Sequence, residues 1–494
     1  MSSSLFVGVD VGTQSTKAVL LDAGLAHDST RDPVVARAAR SYGFIEGLPV
    51  GAMEQHPQTW WEAVCSVLQE LMQSPAAQRG VIGGISVSGQ QHGLVVLDAT
   101  GAVLRPAKLW CDTSTSAEAA ELSRTLGRQV PTGYTAPKLL WMARHEAALR
   151  ARVATLLLPH DYINWRLSGV AWMECGDASG TGFFDPVQRA FDPAAVAALG
   201  PDTAACLPPL RPPHEFAAKV SAQAALQTGL PAGVPIAVGG GDNMLSALGA
   251  GAGEEGVVIL SLGTSATLFA RSNRAVIDNS GAIAAFCDST GAWLPLLCVM
   301  NSTNVLEEVR AAFGGGSMDA LTQAAAQVPF GCHGVRCVPF FSGERVPDLP
   351  LSTGSFHGLR PGLLRGPILF RAALEGITAN LALGAKRLRA QGVAFSRVRC
   401  VGGGAHNALW RDMLAQALSV TLECPLETES AALGAALQAG WVAALADGRQ
   451  CSAGEFARPF VRLAATQEVP RAADSEHWAT MLREYSEMFE PKRH

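Results

Sequence analysis

The sequence DVGTQST at residues 10–16 decides the fold, because SLGTSAT at residues 261–267 repeats its pattern. In each stretch a Gly-Thr pair stands between two apolar runs, a pattern that predicts a β-hairpin with Gly-Thr at its tip. The threonines of the two pairs lie 251 residues apart (264 − 13), about half of the 494-residue chain. We therefore infer a duplicated fold with one such hairpin in each half, although two short Gly-Thr turns can also resemble each other by chance.

The two hairpin tips have the chemistry of a phosphate site. Gly12 and Gly263 permit backbone conformations that expose N–H groups, and Thr13 and Thr264 each add a hydroxyl. Lys17, four residues after Thr13, adds a positive charge near the first tip. Taken singly, each tip is more simply interpreted as an ordinary tight turn, but two matching tips favour a nucleotide cleft between two lobes.

The composition excludes several classes of protein. Hydrophobic residues make up 48% of the chain and charged residues 16%, so the chain can bury substantial cores and is not disordered. The net charge of −5 gives no basic field that would attract nucleic acid or an anionic membrane, and we expect neither as a partner. Glycine, with 51 residues, is the most informative count, because backbone without side chains can approach a ligand closely.

The cysteines and the start of the chain both predict a cytoplasmic protein. The 11 cysteines are scattered and odd in number, and Cys332 and Cys337, near His333, have no second ligand pair at zinc spacing, so we expect no structural zinc. Residues 1–7 lack the basic and apolar regions of a secretory leader. Apolar stretches such as residues 292–300 are shorter than the ~18 residues of a membrane span.

Helical and strand patterns alternate along most of the chain, which predicts an α/β fold with largely buried sheets. The Gly-rich segment at residues 249–256 interrupts this alternation, so we predict an N-terminal lobe over residues 1–245 and a C-terminal lobe over residues 246–494. The predicted strands span residues 5–11, 16–21, 81–88, 93–98, 234–238, 257–262, 266–270, 398–401 and 421–424. The predicted helices span residues 57–73, 137–149, 243–250, 368–391, 408–419 and 430–445.

Asp10 distinguishes the first hairpin from the second, in which Ser261 occupies the same place. A carboxylate beside phosphate groups is repelled unless a cation lies between them, and Mg²⁺ prefers carboxylate, water and phosphate oxygens. We therefore predict that Asp10 faces Mg²⁺ bound to ATP. The alternative is a partly buried carboxylate that accepts hydrogen bonds from the N–H groups of the turn.

Asp242 follows a turn of three glycines, residues 239–241, after a predicted strand. Open α/β sheets bind ligands at the ends of their strands, and the missing side chains let a substrate lie against the backbone. A carboxylate at this place can accept the proton of a hydroxyl group as its oxygen attacks phosphorus. A role for Asp242 as the N-cap of the following helix is equally consistent with the sequence.

Two further loops and one short segment offer polar or glycine-rich backbone. GQQHG at residues 89–93 presents Gln91 and His92 on a bend suited to recognising several hydroxyl groups, or forms a solvated loop. Trp110 and Asp112 offer a stacking surface and a hydroxyl acceptor, although a core Trp before a loop explains the pair equally well. GGGA at residues 402–405 lies between a strand and a helix and can admit an adenosine, although a lone glycine run is weak evidence.

Seven segments, in this order, resemble the FGGY family of carbohydrate kinases over about residues 5–490. They are GVDVGT (8–13), SGQQHG (88–93), GYTAPKLLW (133–141), GGGDN (239–243), LSLGTS (260–265), PFFSGERVP (339–347) and GGGA (402–405). The resemblance implies an α/β protein of two actin-like, ribonuclease H-like lobes with ATP and a sugar in the cleft between them.

The resemblance also implies the chemistry: phosphorylation of D-xylulose at its 5-hydroxyl with ATP and Mg²⁺. It makes Asp242 the general base and Asp10 the carboxylate that faces the magnesium ion. Together with the residue patterns above, it assigns to the sugar Gln91, His92, Asn243, Trp110 and Asp112. It assigns to the nucleotide Gly12, Thr13, Lys17, Gly263, Thr264, Gly403, Gly404, Ala405 and Asn407.

The chain departs from the family pattern at three places. Gln91 stands where many bacterial members have Met, Cys111 where Asn is common, and Pro367-Ile368 where a polar residue usually begins a helix. The first two leave the sugar open, so ribulose, glycerol and a pentitol are alternative substrates, although the Gln-Gln-His motif argues against them. An actin-fold ATPase of chaperone or filament type would lack that motif, and a non-catalytic sugar sensor would not need both acids. A homodimer is compatible with the sequence, which does not specify an oligomeric state.

Overall fold

The computed structural model describes residues 4–489 of the chain. The expectation that the chain has no leader rests partly on residues 1–3, which lie outside the described residues. The outer limits of the two predicted lobes, residues 1 and 494, lie outside them as well.

Residues 4–249 form a first lobe around one mixed sheet. Its strands are β1 (Ser4–Val11), β2 (Ser15–Asp22), β3 (Val34–Ser41), β4 (Glu54–Gln55), β5 (Val81–Gly89), β6 (Val95–Leu97), β7 (Ala107–Lys108), β8 (Thr155–Leu157), β9 (Phe184–Asp185), β10 (Ala190–Phe191), β11 (Phe216–Lys219), β12 (Pro235–Ala237) and β13 (Gly240–Gly241). Its α-helices are α1 (Pro57–Met72), α2 (Pro75–Arg79), α3 (Ser116–Leu126), α4 (Thr135–His145), α5 (Ala147–Arg150), α6 (Pro159–Ser168), α7 (Cys175–Ala178), α8 (Pro193–Ala198), α9 (Thr203–Cys206), α10 (Ala222–Thr228) and α11 (Asp242–Gly249), with a 3₁₀ turn at Ala23–Leu25. The main sheet has the order β11-β12-β5-β1-β2-β3, and β13 pairs with β5.

Residues 256–489 supply a second sheet of order β16-β17-β15-β14-β20-β21. The strands of this part are β14 (Gly256–Leu262), β15 (Ala266–Ala270), β16 (Ala284–Cys287), β17 (Trp293–Val299), β18 (Arg336–Val338), β19 (Ser355–His357), β20 (Phe395–Val401) and β21 (Thr421–Glu423). Its α-helices are α12 (Thr303–Ala312), α13 (Met318–Ala326), α14 (Gly366–Ala390), α15 (Ala408–Leu418), α16 (Ser430–Ala446), α17 (Ala453–Ala457) and α18 (Ala472–Phe489), with 3₁₀ turns at Cys332–Gly334, Gly403–His406 and Arg458–Phe460.

Five consecutive strands in each of the two sheets share one topology. In β3-β2-β1-β5-β12 the first two pairings are antiparallel and the last two parallel, and the same holds for β17-β15-β14-β20-β21. A tight turn joins β1 to β2 and β14 to β15, whereas each parallel pairing needs a crossover, which includes α1 in the first lobe and α14 in the second. The predicted duplication and the two-lobed α/β fold are confirmed.

Both predicted hairpins end in tight turns, which differ in length by one residue. The N–H of Gly12 donates to the carbonyl of Ser15 at 3.0 Å, and the N–H of Gly263 donates to the carbonyl of Ser265 at 3.0 Å. Each loop therefore closes with one short backbone bond, at the centre of its sheet and at the carboxyl end of β1 or β14.

Helix α16 belongs to the second half of the sequence but packs against the first sheet. Ala432 and Leu437 share a hydrophobic core with Phe6 and Val19 of that sheet. A Cβ placed on Gly8 would lie 1.9 Å from the carbonyl oxygen of Ala432, so strand β1 and helix α16 touch backbone to backbone. The chain thus returns to the first lobe after completing the second sheet.

Helix α14 is long and apolar enough to cross a membrane by length and composition, with a mean hydropathy of 1.3 over its best window. However, 94% of that window is buried inside the protein. Phe370, Leu374 and Leu381 of this helix pack in the core of the second lobe. We therefore describe α14 as a core helix.

Several predicted element boundaries need correction, among them the start of β20, which lies at Phe395 rather than at residue 398. The helix predicted over residues 137–149 is two helices, since α4 begins at Thr135 and the extended φ of −135° at Glu146 separates it from α5. Helix α14 begins at Gly366, two residues earlier than predicted, with Pro367 in its first turn, where the missing N–H removes no helical bond. The predicted lobe boundary between residues 245 and 246 falls inside α11 and stays a prediction.

Candidate active site

Strand register brings the two predicted acids to one edge of the first sheet. Asp10 of β1 pairs with Ser88 of β5, and Ser88 pairs with Gly240 of β13, both in parallel pairings. Asp242 comes two residues after Gly240, as the first residue of α11. Because parallel strands end at the same edge, Asp10 and Asp242 lie at the carboxyl ends of neighbouring strands, where open α/β sheets bind ligands.

Asp10 is partly buried beneath the first hairpin loop. Its Oδ1 accepts a hydrogen bond from the Ser88 hydroxyl at 2.7 Å, a bond from the neighbouring strand rather than from the turn. Burial raises the pKa of the Asp10 carboxyl, and the Ser88 hydrogen bond and the positive charge of Lys17 oppose that rise. Its Oδ2 lies 3.9 Å from the point that a Cβ on Gly12 would occupy, so this oxygen faces the loop predicted to hold phosphates.

Asp242 begins α11 but is not its N-cap, which is Gly241 without a side-chain capping bond. The Oδ1 of Asp242 accepts the N–H of Asn243 at 2.7 Å and the side-chain amide of Asn243 at 3.0 Å. Burial, together with the negative charges of Asp10 and Asp177, raises the pKa of Asp242 to about 8. A carboxyl with a pKa near neutrality is suited to accept a proton from a substrate.

Among residues 4–489 the structure groups no three His, Cys, Asp or Glu side chains around a common metal position. Asp10 lies beside the first loop, and its predicted part in a magnesium site, with phosphate and water oxygens as the other ligands, stays a prediction. That ligand set is typical of Mg²⁺.

Three side chains that the sequence did not single out fix the first Gly-Thr loop. The hydroxyl of Tyr42 donates to the carbonyl of Gly12 at 2.7 Å, and the amide of Gln55 donates to the carbonyl of Thr13 at 2.7 Å. Gln90 accepts from the hydroxyl of Thr13 at 3.2 Å. These bonds occupy the loop carbonyls, which would otherwise repel phosphate oxygens. Gln90 lies in the family-like segment SGQQHG, whereas no sequence pattern around Tyr42 or Gln55 predicts their contacts with the loop.

The structure brings Gln91 and Asn243 together beside Asp242. The amide of Asn243 donates to Oε1 of Gln91 at 2.9 Å. The Nε2 of Gln91 is buried and has no hydrogen-bond partner within the described part of the chain. A Cβ on Gly241 would lie 2.8 Å from the Gln91 side chain, so the glycine makes room for this amide. Gln91 therefore presents two unused donor hydrogens to the site.

His92 lines the same region with an aromatic wall. Its backbone has a φ of 67°, and its ring centre lies 4.8 Å from that of Tyr134 and 5.9 Å from that of Phe286. Burial and the positive charges of Lys138 and Arg345 hold the pKa of His92 well below its usual range, so the ring is neutral. Phe286 comes from β16, so both lobes contribute to this wall.

A fully buried lysine holds that wall in place. The ammonium of Lys138 donates to the carbonyl of His92 at 3.1 Å, to that of Gly133 at 2.5 Å and to that of Tyr134 at 2.9 Å. All three of its donors are thus used by backbone groups. Lys138 lies inside a family-like segment, but the sequence did not indicate this role.

Trp110 and Asp112 have different surroundings, although both were predicted to contact the sugar. Trp110 is 42% exposed, and its Nε1 donates to the hydroxyl of Thr13 at 3.0 Å. Asp112 is fully buried and accepts from the N–H of Met53 at 2.9 Å and from the hydroxyl of Ser114 at 2.6 Å. Both carboxylate oxygens of Asp112 are therefore taken by the protein, which favours a structural role, and its sugar contact stays a prediction.

Lys17 lies opposite Asp10 in the β1–β2 register but points its ammonium elsewhere. Its Nζ pairs with Glu429, just before α16, at 2.6 Å. A phosphate contact from Lys17 would compete with this ion pair, and the contact stays a prediction.

The predicted nucleotide residues of the second lobe surround the end of β14. Gly402 has a φ of 84°, and a Cβ there would lie 2.7 Å from the carbonyl of Leu262, whereas a Cβ on Gly403 would point into open space. Asn407 caps α15 by accepting the N–H of Trp410 at 3.1 Å. At this edge of the sheet the structure places the predicted residues Gly263, Thr264, Gly403, Gly404, Ala405 and Asn407.

A buried ionic network lies behind the two acids and was missed by the sequence analysis. His160 contacts Asp161 at 3.0 Å and Asp177 at 2.9 Å, and all three side chains are fully buried. Burial disfavours the charged ring, but the two carboxylates outweigh it and raise the pKa of His160 to about 9. A Cβ on Gly89 would lie 3.0 Å from His160, so the network packs directly under the strand end.

Comparisons of the sequence and of the structure with known proteins point to the same kind of protein over most of the chain. A model of the N-terminal domain of FGGY-family carbohydrate kinases matches residues 5–249, and a model of their C-terminal domain matches residues 258–443. The xylulose kinase of Haemophilus influenzae is 37% identical over 453 residues, covering 88% of this chain and 90% of that protein. The xylulose kinase of Streptomyces rubiginosus is 35% identical over 446 residues, covering 88% and 87%. The crystal structure of xylulose kinase from Rhodospirillum rubrum superposes with a TM-score of 0.87 at 29% identity, over 98% of each chain.

Proposed function

Because the chain belongs to the FGGY family of carbohydrate kinases, we propose that it transfers the terminal phosphoryl group of ATP to the 5-hydroxyl of D-xylulose. The relatives compared above are named xylulose kinases, and this chain aligns with most of the length of each. The position of Asp242 carries the mechanism: it follows a side-chain-free turn, shares a strand edge with Asp10 and adjoins the Gln91–Asn243 pair. We place the reaction in the cytoplasm, where free thiols such as the protein's 11 cysteines persist.

In this mechanism Asp242 orients the attacking hydroxyl and, in its ionised form, accepts its proton. The raised pKa of about 8 gives the carboxylate enough basicity to hold that proton as the bond to phosphorus forms. The glycine turn (residues 239–241) has no side chains, so the sugar can lie close to the backbone beside the base.

On the phosphate side, Asp10 and the two Gly-Thr loops receive ATP. The Oδ2 of Asp10 faces the loop at Gly12, and this free oxygen fits a magnesium ion bound through one carboxylate and phosphate oxygens. Bound Mg²⁺ neutralises negative charge on the phosphates during transfer. The carbonyls of the first loop are tied to Tyr42 and Gln55, so they do not oppose an anion.

On the sugar side, the free amide hydrogens of Gln91, the Asn243 amide and the neutral His92 ring recognise hydroxyl groups. The buried and unpaired Nε2 of Gln91 supports this role, because such a group costs stability unless a ligand satisfies it. The aromatic contacts of His92 with Tyr134 and Phe286 give the pocket an apolar wall formed by both lobes.

A coupled kinase assay on D-xylulose, D-ribulose, L-ribulose, glycerol and pentitols tests the substrate. We expect D-xylulose to have the highest kcat/KM, and strong turnover of another compound with none of D-xylulose would refute the assignment. For the base, we expect Asp242→Ala to reduce kcat by at least about 10³-fold while ATP binding persists, since proton transfer and orientation of the hydroxyl are both lost. Asp98→Ala, in a surface turn of the same lobe, is the matched control and should keep kcat. Full turnover by Asp242→Ala would remove the base assignment.

A further inference from the structure

Helix α16 places a single buried amide, that of Gln438, against the turn that precedes Asp242. The Oε1 of Gln438 accepts from the hydroxyl of Ser86 at 2.6 Å and from the N–H of Gly239 at 3.1 Å. Its Nε2 donates to the carbonyl of Gly239 at 3.0 Å and to the carbonyl of Ser289 at 2.9 Å. The amide is fully buried, and all four of its hydrogen-bonding positions are occupied.

Gly239 lies where the backbone leaves one strand pairing and enters another. Strand β12 ends at Ala237 and β13 begins at Gly240, and Gly239 between them has a φ of 83°. Its N–H and C=O both bond to the amide of Gln438, much as they would to a neighbouring strand. Without that amide, two buried backbone groups at the start of the glycine turn would lack these partners.

The helix that carries Gln438 is rigidly joined to the helix that carries Asp242. A Cβ on Gly434 would lie 1.8 Å from the carbonyl of Leu245, and a Cβ on Gly249 would lie 1.9 Å from that of Ser430. Helices α11 and α16 therefore cross in backbone contact. Because of this contact, α16 holds Gln438 in a fixed position relative to the start of α11, and Gln438 in turn bonds to the glycine turn.

The fourth hydrogen bond of the amide reaches the second lobe. Ser289 lies in the turn between β16 and β17, and a Cβ on Gly240 would lie 2.0 Å from its hydroxyl. The turn at Ser289 thus packs onto the glycine turn, and the bond from Gln438 holds it there. The amide joins strand β5, the glycine turn and a turn of the second lobe at one point.

We propose that Gln438 is a positioning residue for phosphoryl transfer, which sets the backbone of the glycine turn and so the place of the Asp242 carboxylate. This inference rests on the proposed function of Asp242 as the base. Gln438 is too deeply buried to touch a substrate, so its effect passes through Gly239. Displacement of a reacting group by about 1 Å can lower a rate by about 10²-fold.

Two substitutions of Gln438 remove different numbers of its hydrogen bonds. Gln438→Leu keeps the approximate size and removes all four hydrogen bonds. Gln438→Glu keeps the two acceptor bonds and replaces the NH₂ group, with both of its donor hydrogens, by one oxygen that faces the carbonyls of Gly239 and Ser289. We expect kcat to fall by about 10- to 100-fold in both, with the KM values for ATP and sugar changed by less than about threefold. For Gln438→Leu, which adds no charge, we also expect the acidic limb of the kcat/KM profile to move to lower pH, because a looser turn admits water and lessens the burial that raises the pKa of Asp242.

Gln416→Leu is the matched control, since Gln416 is also a buried helical amide that bonds to backbone, here the N–H of Arg471 at 2.7 Å and the carbonyl of Val469 at 3.2 Å. It lies at the far end of α15 and should lower the melting temperature without lowering kcat or moving the pH profile. A kcat for Gln438→Leu equal to that of Gln416→Leu at a similar loss of stability would overturn the proposal. If Gln438→Leu does not fold, Gln438→Glu with wild-type kcat would overturn it.

The parallel Asp242→Ala variant separates the two assignments. If Asp242→Ala is inactive and the Gln438 variants match the control, only the positioning role falls. If Asp242→Ala retains turnover, the base assignment fails, and the positioning role fails with it.

Discussion

Replacing Asp242 by Asn should make the folded protein more stable while it abolishes turnover. The carboxyl is buried beside Asp10 and Asp177, and this surrounding raises its pKa from an ordinary 3.8 to about 8. A carboxyl whose pKa is raised by folding opposes folding once the pH exceeds its unfolded value, because the folded state disfavours the ionised form. Asn carries no charge, and its Oδ1 can still accept the N–H of Asn243, as Asp242 does at 2.7 Å.

The size of the effect follows from the two pKa values. At pH 7 the carboxyl is ionised in the unfolded chain and mostly protonated in the folded protein, and a difference of about 3 units (7 − 3.8) corresponds to at most about 4 kcal/mol. The side chain is only partly buried, so water reduces this cost, and we expect a gain of about 1–2 kcal/mol for Asp242→Asn. Such a gain corresponds to a rise of about 2–4 °C in melting temperature per kcal/mol.

Thermal unfolding of both proteins from pH 4 to pH 9 measures the effect. The difference in melting temperature should be small at pH 4, where the folded carboxyl is protonated and the unfolded one is only about half ionised, and should grow until about pH 8. Asp98→Asn provides a control of opposite sign, because hydrogen bonds from Thr100 and Ala102 hold the pKa of Asp98 at about 2 and so stabilise the folded state above that pH. A difference for Asp242→Asn that does not vary with pH, or a less stable variant at pH 8, would refute the reasoning.

Two further variants test the two sides of the cleft. Lys138→Met should raise the KM for the sugar by about tenfold or more and leave the KM for ATP unchanged. The reason is that the carbonyls of His92, Gly133 and Tyr134 lose their shared donor, so the aromatic wall loosens. Steady-state kinetics with either substrate varied measures both KM values, and a sugar KM equal to that of the wild type would contradict the prediction. Asp10→Asn should raise the magnesium concentration needed for half-maximal rate by about tenfold at constant ATP, because one anionic ligand is lost while the hydrogen bond from Ser88 can remain. A titration of the kinase rate with magnesium measures this, and an unchanged magnesium dependence would argue against a metal role for Asp10.

Local patterns in the sequence were enough to locate the elements that build the site. The hairpins at residues 10–16 and 261–267, and the strand that leads into the glycine turn, were predicted because apolar alternation and glycine depend on neighbouring residues alone. The same holds for Asp10, which stands near the end of its strand, and for Asp242, which directly follows one. Strand order then explains why they meet, since β1 and β13 both pair with β5.

The partners of these residues could not be predicted, because they come from distant parts of the chain. Lys17 pairs with Glu429 rather than standing free, and no local pattern near either residue indicates the other. Asp112 is occupied by Met53 and Ser114, so a residue type suited to bind hydroxyl groups is used within the protein instead. In each case the competing partner arrives through tertiary packing.

The sequence by itself therefore determined the duplicated hairpins, the two-lobed α/β fold and the acids at the strand ends, since turn chemistry and hydrophobic periodicity are local properties. Only the tertiary structure decided the protonation of Asp242 and the role of Gln438, which bonds to Gly239 across 199 residues of sequence. A pKa depends on how far water is excluded and which charges lie nearby, and a buried amide depends on which backbone groups lack a strand partner. Both are set by contacts between segments that only folding brings together.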